Sequence, residues 1–172
     1  MGTTGAGGMQ FALLRDAMSK WNNNEWADLC SGKACPICLD GKPQGIVAEL
    51  ETSYLTSTEA SPMKGYCCLI LKRHVVELYE LAVEEAAALM RDIQQTSRDI
   101  QQTSGAVKMN YEIHGNTIPH LHVHLFPRYK GDPFEGGPIN PKLPKLIETS
   151  PYKGCEFTEF TRKLQTRWLE GQ

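Results

Sequence analysis

The hydrophobic pattern of this chain predicts an α+β domain built on an antiparallel sheet. Short apolar runs bounded by turn residues are typical of strands. Five such runs occur: Ile46 to Leu50, Ser53 to Thr58, Tyr66 to Leu71, Lys108 to Ile113 and Leu121 to Phe126. Hydrophobic residues at helical spacing predict three helices: Phe11 to Trp21, Val76 to Thr103 and Glu156 to Leu169. We therefore expect one domain over residues 10–172, preceded at residues 1–9 by a disordered segment or a cloning remnant.

A seven-residue segment is duplicated inside the long predicted helix. Arg91 to Ser97 is repeated without change as Arg98 to Ser104. Seven residues are close to two helical turns, so the duplication lengthens the helix and nearly preserves its faces. Gly105 follows the repeat and predicts the end of the helix.

Three histidines alternate with apolar residues in the last predicted strand. Successive side chains of a strand point to opposite faces, so the alternation places His120, His122 and His124 in a row on one face. The residues expected to face the core are Leu121, Val123, Leu125 and Phe126. Three adjacent imidazoles suit either a metal site or a site that attacks a phosphate. A three-histidine metal centre is the less favoured alternative, because no carboxylate on the same element is spaced to support the ligands.

The composition is that of a globular protein and argues against nucleic-acid and membrane partners. A chain of 172 residues with 41% hydrophobic and 22% charged residues can bury a core without disulfide bonds. The formal net charge of -2 provides no basic excess for nucleic acid. No apolar run reaches the roughly 18–20 residues that span a bilayer. The N-terminal residues lack the pattern of a signal peptide, so we expect a cytoplasmic protein.

Two of the six cysteines form a Cys-x-x-Cys motif at Cys35 and Cys38. This spacing is typical of half of a zinc site, and a cytosolic protein keeps its thiols available to a metal. A redox pair and plain packed or surface thiols are the alternatives. A redox motif normally opens a helix after a strand, and nothing before Cys35 predicts that arrangement. Cys67 and Cys68 lie inside an apolar strand, where we expect them to pack as small hydrophobic residues.

The triad and its surroundings resemble the histidine-triad (HIT) superfamily. The HIT signature is His-φ-His-φ-His-φ-φ, with φ apolar, and residues 120–126 read HLHVHLF. Asn110 to Pro119 resembles the strand and turn that lead to the triad, and Lys72 to His74 resembles the Lys-x-His segment of these proteins. The resemblance implies a HIT-like fold, with about five antiparallel strands, one long helix and a C-terminal helix. It also implies a homodimer that joins two such sheets.

The resemblance to bacterial-type HIT hydrolases implies a role for each residue around the triad. By this resemblance, His122 would attack the α-phosphate of a nucleotide substrate and become a nucleotidyl-histidine, while His120 and His124 would shape the phosphate pocket. Imidazole suits this role because it is neutral near pH 7 and forms a labile P–N bond. Thr117 would contact the leaving group. The residues expected to approach the phosphates are Gly115, Asn116, Asn110 and, at the entrance to the site, His114.

The same resemblance implies a structural zinc ion. Relatives complete the cysteine pair with the histidine of the Lys-x-His segment and the first histidine of the triad. The implied ligands are Cys35, Cys38, His74 and His120. Four protein ligands close the coordination sphere, so the ion would tie the N-terminal segment to the catalytic strand.

The leading functional hypothesis is a hydrolase or nucleotidyl transferase. Its substrates would be dinucleoside polyphosphates, nucleoside phosphoramidates or similar AMP-X compounds. One alternative is a uridylyltransferase-like enzyme, although those relatives carry glutamine in place of His124. Another is a nucleotide-binding interaction protein with little catalysis.

Two further expectations concern the walls of the site. The apolar residues Ile37, Val47 and Leu71 are expected around the nucleobase. Arg128 pairs either with a phosphate or with a nearby carboxylate, Asp132 or Glu135.

Overall fold

The computed structural model describes residue 21 and residues 23–139 and 151–170. The helices are α1 (Asn24–Cys30), α2 (Pro36–Asp40), α3 (Val83–Ser104) and α4 (Glu156–Glu170). The strands are β1 (Ile46–Glu49), β2 (Ser53–Ser57), β3 (Cys67–Leu71), β4 (Lys108–Glu112) and β5 (His122–Arg128). The predicted helix over Phe11 to Trp21 and the segment at residues 1–9 lie outside the described residues, except for Trp21. None of the described helices is long and apolar enough to cross a membrane.

The five strands form one antiparallel sheet in the order β1-β2-β3-β5-β4. This confirms the expected α+β fold with a five-stranded sheet, one long helix and a C-terminal helix. The order places β5 between β3 and β4, so the histidine strand has a hydrogen-bonded neighbour on each side. In this register His122 lies opposite Ile70, and His124 lies between Cys68 of β3 and Glu112 of β4.

One face of the sheet packs against α3 and α4 and forms the main core. Val123 and Leu125 are buried in this core, as the alternation predicts. Leu121 precedes β5 and is buried in an adjoining cluster with Leu71 and Leu89. Because the helices cover this face of the sheet, His122 and His124 lie on the opposite face.

Phe126 is buried in a hydrophobic cluster, as predicted, but on the opposite face of the sheet from Val123 and Leu125. Strand β5 runs in unbroken register to Arg128, so Phe126 shares a face with His122 and His124. It is buried in a second cluster whose other members are Met63, Phe134 and Ile139. This cluster closes one end of the histidine-bearing face.

Helix α3 begins later than its hydrophobic pattern predicts. The chain first forms a short 3-10 helix, Leu78–Glu80. The Glu80 carboxylate accepts hydrogen bonds of 3.0 Å from the backbone N–H groups of both Val76 and Glu77, which holds this turn outside the helix. The duplicated segment lies within α3, which ends at Gly105 with a φ of +73°, as predicted.

The sequence pattern does not predict α1, because the asparagines at 22–24 indicate a break between elements. Asn23 is the N-cap of α1, and its side-chain oxygen accepts a hydrogen bond of 2.8 Å from the Trp26 backbone N–H. Asparagine favours both turns and N-caps, so the same residues that suggest a break also start a helix.

Asp92 attaches α3 to the sheet. Its Oδ2 accepts hydrogen bonds from the Thr52 backbone N–H at 3.1 Å, the Thr52 hydroxyl at 2.8 Å and the Ser53 hydroxyl at 2.7 Å. Asp92 is buried, so these donors satisfy a carboxylate that water cannot reach. The contact fixes the long helix on the core face, beside β2.

Candidate functional site

The four residues of the expected metal site lie together at the start of β5. Their four candidate ligand atoms all fall within 4.8 Å of one another. The His120 Nδ1 lies 3.4 Å from the Cys35 Sγ and 3.8 Å from the Cys38 Sγ. The His74 Nδ1 lies 3.3 Å from the Cys38 Sγ and 3.3 Å from the His120 Nδ1. Cys35 and His120 are buried, and the other two residues are more accessible.

The hydrogen bonds of the two histidines determine which nitrogen faces the centre of this cluster. The His74 Nε2 lies 2.9 Å from the Cys30 carbonyl oxygen, and the His120 Nε2 lies 2.8 Å from the Leu71 carbonyl oxygen. A carbonyl oxygen only accepts, so both Nε2 atoms carry the proton and both Nδ1 lone pairs point inward. Burial lowers the pKa of His120, which favours its neutral ring.

Two inward lone pairs at this separation repel each other, and a cation between them removes that repulsion. A tetrahedral ion with bonds of about 2.0 Å to nitrogen and about 2.3 Å to sulfur separates its ligands by roughly 3.3–3.8 Å. Four of the six separations between candidate ligand atoms are 3.3–3.8 Å, which is close to that geometry, and all six are within 4.8 Å. Cys35, Cys38, His74 and His120 are therefore positioned to bind a metal ion.

The local fold explains how the cysteines reach the histidines. Cys35 is the N-cap of α2 and Cys38 lies one turn later, so both thiols lie on the same side of this short helix. Gly32 lies against the His74 ring, where a Cβ atom would approach within 3.3 Å. Its φ of +82° also favours glycine. Sequence reasoning missed Gly32, since nothing in the chain order indicates that it contacts His74.

His122 and His124 form a separate pair further along β5. Their ring centroids lie 4.8 Å apart and their planes are nearly perpendicular. The His120 ring instead packs edge-on against His74 at 4.9 Å. The expected row of three imidazoles is therefore divided, because His120 precedes the strand and turns toward the cysteines.

The backbone fixes the orientation of the His122 ring. Its Nδ1 donates a hydrogen bond of 2.6 Å to the carbonyl oxygen of His120. A neutral imidazole with its proton on Nδ1 has a free lone pair on Nε2. His120 thus connects the two halves of the site, because its side chain belongs to the metal cluster and its carbonyl orients His122.

Tyr66 is a site residue that sequence reasoning did not identify. Its hydroxyl lies 2.8 Å from the His124 Nδ1, and its ring packs on Phe126 with centroids 5.0 Å apart. Burial, assisted by the nearby His122 and His114, lowers the pKa of His124 to about 4. Burial also raises the pKa of the Tyr66 hydroxyl. Both groups are therefore neutral at pH 7, and the Tyr66 phenol retains a proton that it can donate.

The loop between β4 and β5 contains the other expected phosphate-binding residues. Gly115 has a φ of +88°, which requires glycine, and Asn116 and Thr117 are exposed beyond it. His114 lies beside the pair, with its ring centroid 5.6 Å from that of His124. Its Nε2 lies 2.9 Å from the Glu112 carboxylate, a partner that the sequence analysis did not identify.

Asn110 and Arg128 lie further from the histidine pair. Asn110 is opposite Phe126 in the sheet, and both Asn110 and Arg128 line a cavity of about 450 Å³ at the far end of β5. Arg128 pairs with Asp132 through Nε at 2.9 Å and Nη2 at 3.0 Å. It also donates to the carbonyl oxygens of Phe134 and Gly137. Of its two predicted partners, the structure shows the carboxylate.

The expectation for the nucleobase pocket is wrong for two of its three residues. Val47 belongs to the main core, and Leu71 is buried beneath α3 with Leu89. Both residues point to the helix-covered face, so they cannot contact a ligand beside His122. Ile37 lies on α2 and is partly exposed.

Comparison with known proteins finds solved structures of similar fold. A histidine triad protein from Bradyrhizobium japonicum has 24% identity over 70% of this chain and 87% of its own, with a TM-score of 0.61. A histidine triad protein from Marinobacter aquaeolei VT8 has 26% identity over 73% of this chain and 88% of its own, with a TM-score of 0.62. A hypothetical histidine triad nucleotide-binding protein from Sulfolobus tokodaii strain7 has 18% identity over 83% of this chain and 91% of its own, with a TM-score of 0.57.

A search of curated proteins found no match. The HIT domain family model matches residues 40–131, which is more than half of the chain and includes the histidine pair, Tyr66 and the intervening loop. The chain belongs to the HIT domain family.

Proposed function

We propose that this protein hydrolyses or transfers a nucleotidyl group by attack of His122 on an α-phosphate. The observation that carries the proposal is the hydrogen bond of 2.6 Å from the His122 Nδ1 to the His120 carbonyl. It leaves a lone pair on Nε2, at a position held by the backbone rather than by a mobile side chain. A neutral imidazole held in one orientation is an effective nucleophile at neutral pH.

His124 supplies the second interaction that this chemistry requires. When the Tyr66 hydroxyl donates to the His124 Nδ1, the proton of the neutral ring is on Nε2. That N–H can then donate to a phosphoryl oxygen as negative charge develops there. The 4.8 Å spacing of the two rings suits a nucleophile and a donor that act on the same phosphate.

The substrates that fit this proposal are dinucleoside polyphosphates, nucleoside phosphoramidates and related AMP-X compounds. His122 would form a covalent nucleotidyl-histidine as the leaving group departs, and water or another acceptor would then release the nucleotide. Gly115, Asn116 and Thr117 lie in the loop that leads to this strand, where they can approach the phosphates and the leaving group. The relative from Sulfolobus tokodaii, described as nucleotide-binding, supports the substrate class.

We also propose that the metal ion is zinc and that its role is structural. Two thiolates and two imidazoles in a tetrahedral arrangement are typical zinc ligands, and four protein ligands leave no open position. Burial and the neighbouring Cys35 raise the pKa of the Cys38 thiol to about 11 when the metal is absent. A redox-active thiol needs a lowered pKa, so this shift argues against a redox pair.

The proposed assembly is a homodimer formed along β4. This strand is at the edge of the sheet, and no other described strand pairs with its outer side. Tyr111 is 52% exposed, and Val107 and Ile113 beside it are also exposed. An open edge with apolar side chains suits pairing with a second copy, which would join two sheets. We expect this dimer to be cytoplasmic.

Release of AMP from diadenosine tetraphosphate, diadenosine triphosphate and adenosine 5′-phosphoramidate tests the proposal, with His122→Gly as the blank. We expect release that disappears in the variant, together with a nucleotidyl-histidine adduct in the mass spectrum of the quenched wild type. Tight AMP binding without release from any of the three substrates would favour the interaction-protein alternative. UMP transfer between sugar phosphates in place of AMP release would favour the uridylyltransferase-like alternative.

A further inference from the structure

We propose that Glu112 and His114 form an acid–base pair that protonates the leaving group, a step that rests on the proposed nucleotidyl transfer. The His114 Nε2 lies 2.9 Å from a Glu112 carboxylate oxygen. Because Nε2 is used in this contact, Nδ1 is the nitrogen that can serve a substrate atom. A carboxylate that holds one nitrogen of an imidazole, while the other transfers a proton, is a recurrent acid–base arrangement.

The sheet register explains why this pair lies at the site rather than elsewhere on the surface. Glu112 is the last residue of β4 and lies directly opposite His124 of β5, so it shares the histidine-bearing face. Its side chain is 18% exposed, whereas that of His114 is 48% exposed. The carboxylate is thus held near the sheet, while the imidazole is half exposed to solvent beside the His124 ring.

An in-line displacement places different demands on the nucleophile and on the acid. The His124 ring lies 4.8 Å from the His122 ring and 5.6 Å from the His114 ring, measured between centroids. In a phosphoryl or nucleotidyl transfer the leaving group departs on the side of phosphorus opposite the nucleophile. An acid that acts on that group must therefore be separated from His122, and His114 lies on the loop before β5, beside His124 rather than on the same strand as His122.

For a phosphoramidate substrate, each half of the reaction forms one bond to phosphorus and breaks another. The His122 Nε2 forms a bond to phosphorus, the phosphorus–nitrogen bond of the substrate breaks, and the His114 imidazolium gives its proton to the departing nitrogen. In the second half of the reaction neutral His114 accepts a proton from water, the water oxygen bonds to phosphorus, and the bond to the His122 Nε2 breaks. The enzyme returns to its starting protonation state, and Glu112 stabilises the imidazolium throughout.

Two substrates with different leaving groups test this assignment. Ammonia leaves adenosine 5′-phosphoramidate only after its nitrogen is protonated, whereas 4-nitrophenolate leaves adenosine 5′-(4-nitrophenyl phosphate) as a stable anion. We expect His114→Gln to lower kcat for the phosphoramidate by about 100-fold and for the nitrophenyl ester by less than about threefold. Glu112→Gln should give the same selectivity with a smaller loss of about tenfold on the phosphoramidate.

Control measurements distinguish the acid–base role of Glu112 and His114 from the nucleotidyl transfer on which it rests. Glu156→Gln changes a surface carboxylate that pairs with Lys64, and it should leave both rates unchanged. Equal losses on both substrates in His114→Gln, or no loss on either, would overturn the acid–base assignment while nucleotidyl transfer stands. Failure of the wild type to turn over both substrates would instead overturn the proposed function. If the melting temperature of His114→Gln is below that of the wild type, the two rates are measured for His114→Asn as well. A selective loss on the phosphoramidate in a variant that melts like the wild type assigns the loss to the missing acid rather than to misfolding.

Discussion

The Nδ1 atoms of His74 and His120 face each other at 3.3 Å, although the Nε2 of each ring already donates to a backbone carbonyl. Neither Nδ1 can donate to the other in that state, so the two lone pairs repel each other, and a cation that accepts both removes the repulsion. The two nearby thiols complete a tetrahedral set for that cation. Because the His120 carbonyl also orients His122, the candidate metal cluster and the proposed nucleophile share one residue.

Removal of the metal should therefore lower stability and activity together. We expect one zinc ion per chain by elemental analysis, and chelation should lower the free energy of unfolding by about 3 kcal/mol or more, because binding energy adds to folding energy. Cys38→Ser should reproduce the loss. Cys155→Ser is the matched control, since this exposed cysteine lies in the turn before α4 and outside the cluster. Chelation that changes neither the melting temperature nor AMP release would disprove the link through His120.

Loss of the Tyr66 hydroxyl should slow the reaction without disturbing the fold. Tyr66→Phe keeps the ring that packs on Phe126 but removes the group 2.8 Å from the His124 Nδ1. A lost hydrogen bond of about 1–1.5 kcal/mol corresponds to a decrease in kcat of roughly tenfold. Nitrogen chemical shifts of the His124 ring should show a mixture of tautomers in place of one. An unchanged tautomer with reduced kcat would assign Tyr66 another role.

The strands and the long helix could be predicted from sequence because local patterns determine them. The alternation of apolar and polar residues around Val123 and Leu125 indicates a half-buried strand. The hydrophobic residues at helical spacing before Gly105 indicate a helix that packs on that sheet. The boundaries depend on individual hydrogen bonds. The Glu80 carboxylate delays the start of α3, and the Asn23 side chain starts a helix at an apparent break.

Within the site, the residue types could be predicted but not all of their partners. The chain order indicates that His122 and His124 share a face, and resemblance brings His74 and His120 to the cysteines. The contact between Tyr66 and His124 spans 58 residues, and it depends on the pairing of β3 with β5. The hydrophobic pattern within each segment does not specify which strand it pairs with. Long-range register is the information that the sequence alone lacks.

A change of quaternary structure should follow from a charge at the β4 edge. Across a twofold axis, Tyr111→Arg would place two positive charges near each other, so we expect the mass in solution to fall from twice 19.2 kDa to 19.2 kDa. Analytical ultracentrifugation gives this mass directly. Tyr79→Arg is the matched control, because this tyrosine is 83% exposed and lies in the 3-10 helix away from the edge. A monomeric wild type, or a dimeric Tyr111→Arg, would contradict edge pairing.

The Arg128–Asp132 pair should make stability depend on pH in the acid range. Arg128 and nearby backbone N–H groups lower the pKa of Asp132 to about 2, from an ordinary value of 3.8. A carboxylate whose pKa is lower in the folded state than in the unfolded state stabilises the fold. This stabilisation is fully present above the unfolded-state pKa and is lost as the pH falls toward the folded-state pKa. The Asp132 side chain is only 4% exposed, so solvent screens the pair weakly. The contribution is about 2 kcal/mol at pH 7.

Urea unfolding of Asp132→Asn against the wild type measures this contribution. We expect a difference of about 2 kcal/mol at pH 7, little change down to about pH 4, and a steady decrease between pH 4 and pH 2 as the wild-type carboxyl takes up a proton. Asp28→Asn removes a carboxylate that pairs with Lys33 at the exposed surface, and it should cost less than about 1 kcal/mol at any pH. A difference for Asp132→Asn that stays constant from pH 7 to pH 2 would mean that packing and hydrogen-bond geometry, rather than charge, hold the loop after β5. In that case Arg128 would stabilise the loop mainly through the carbonyl oxygens of Phe134 and Gly137.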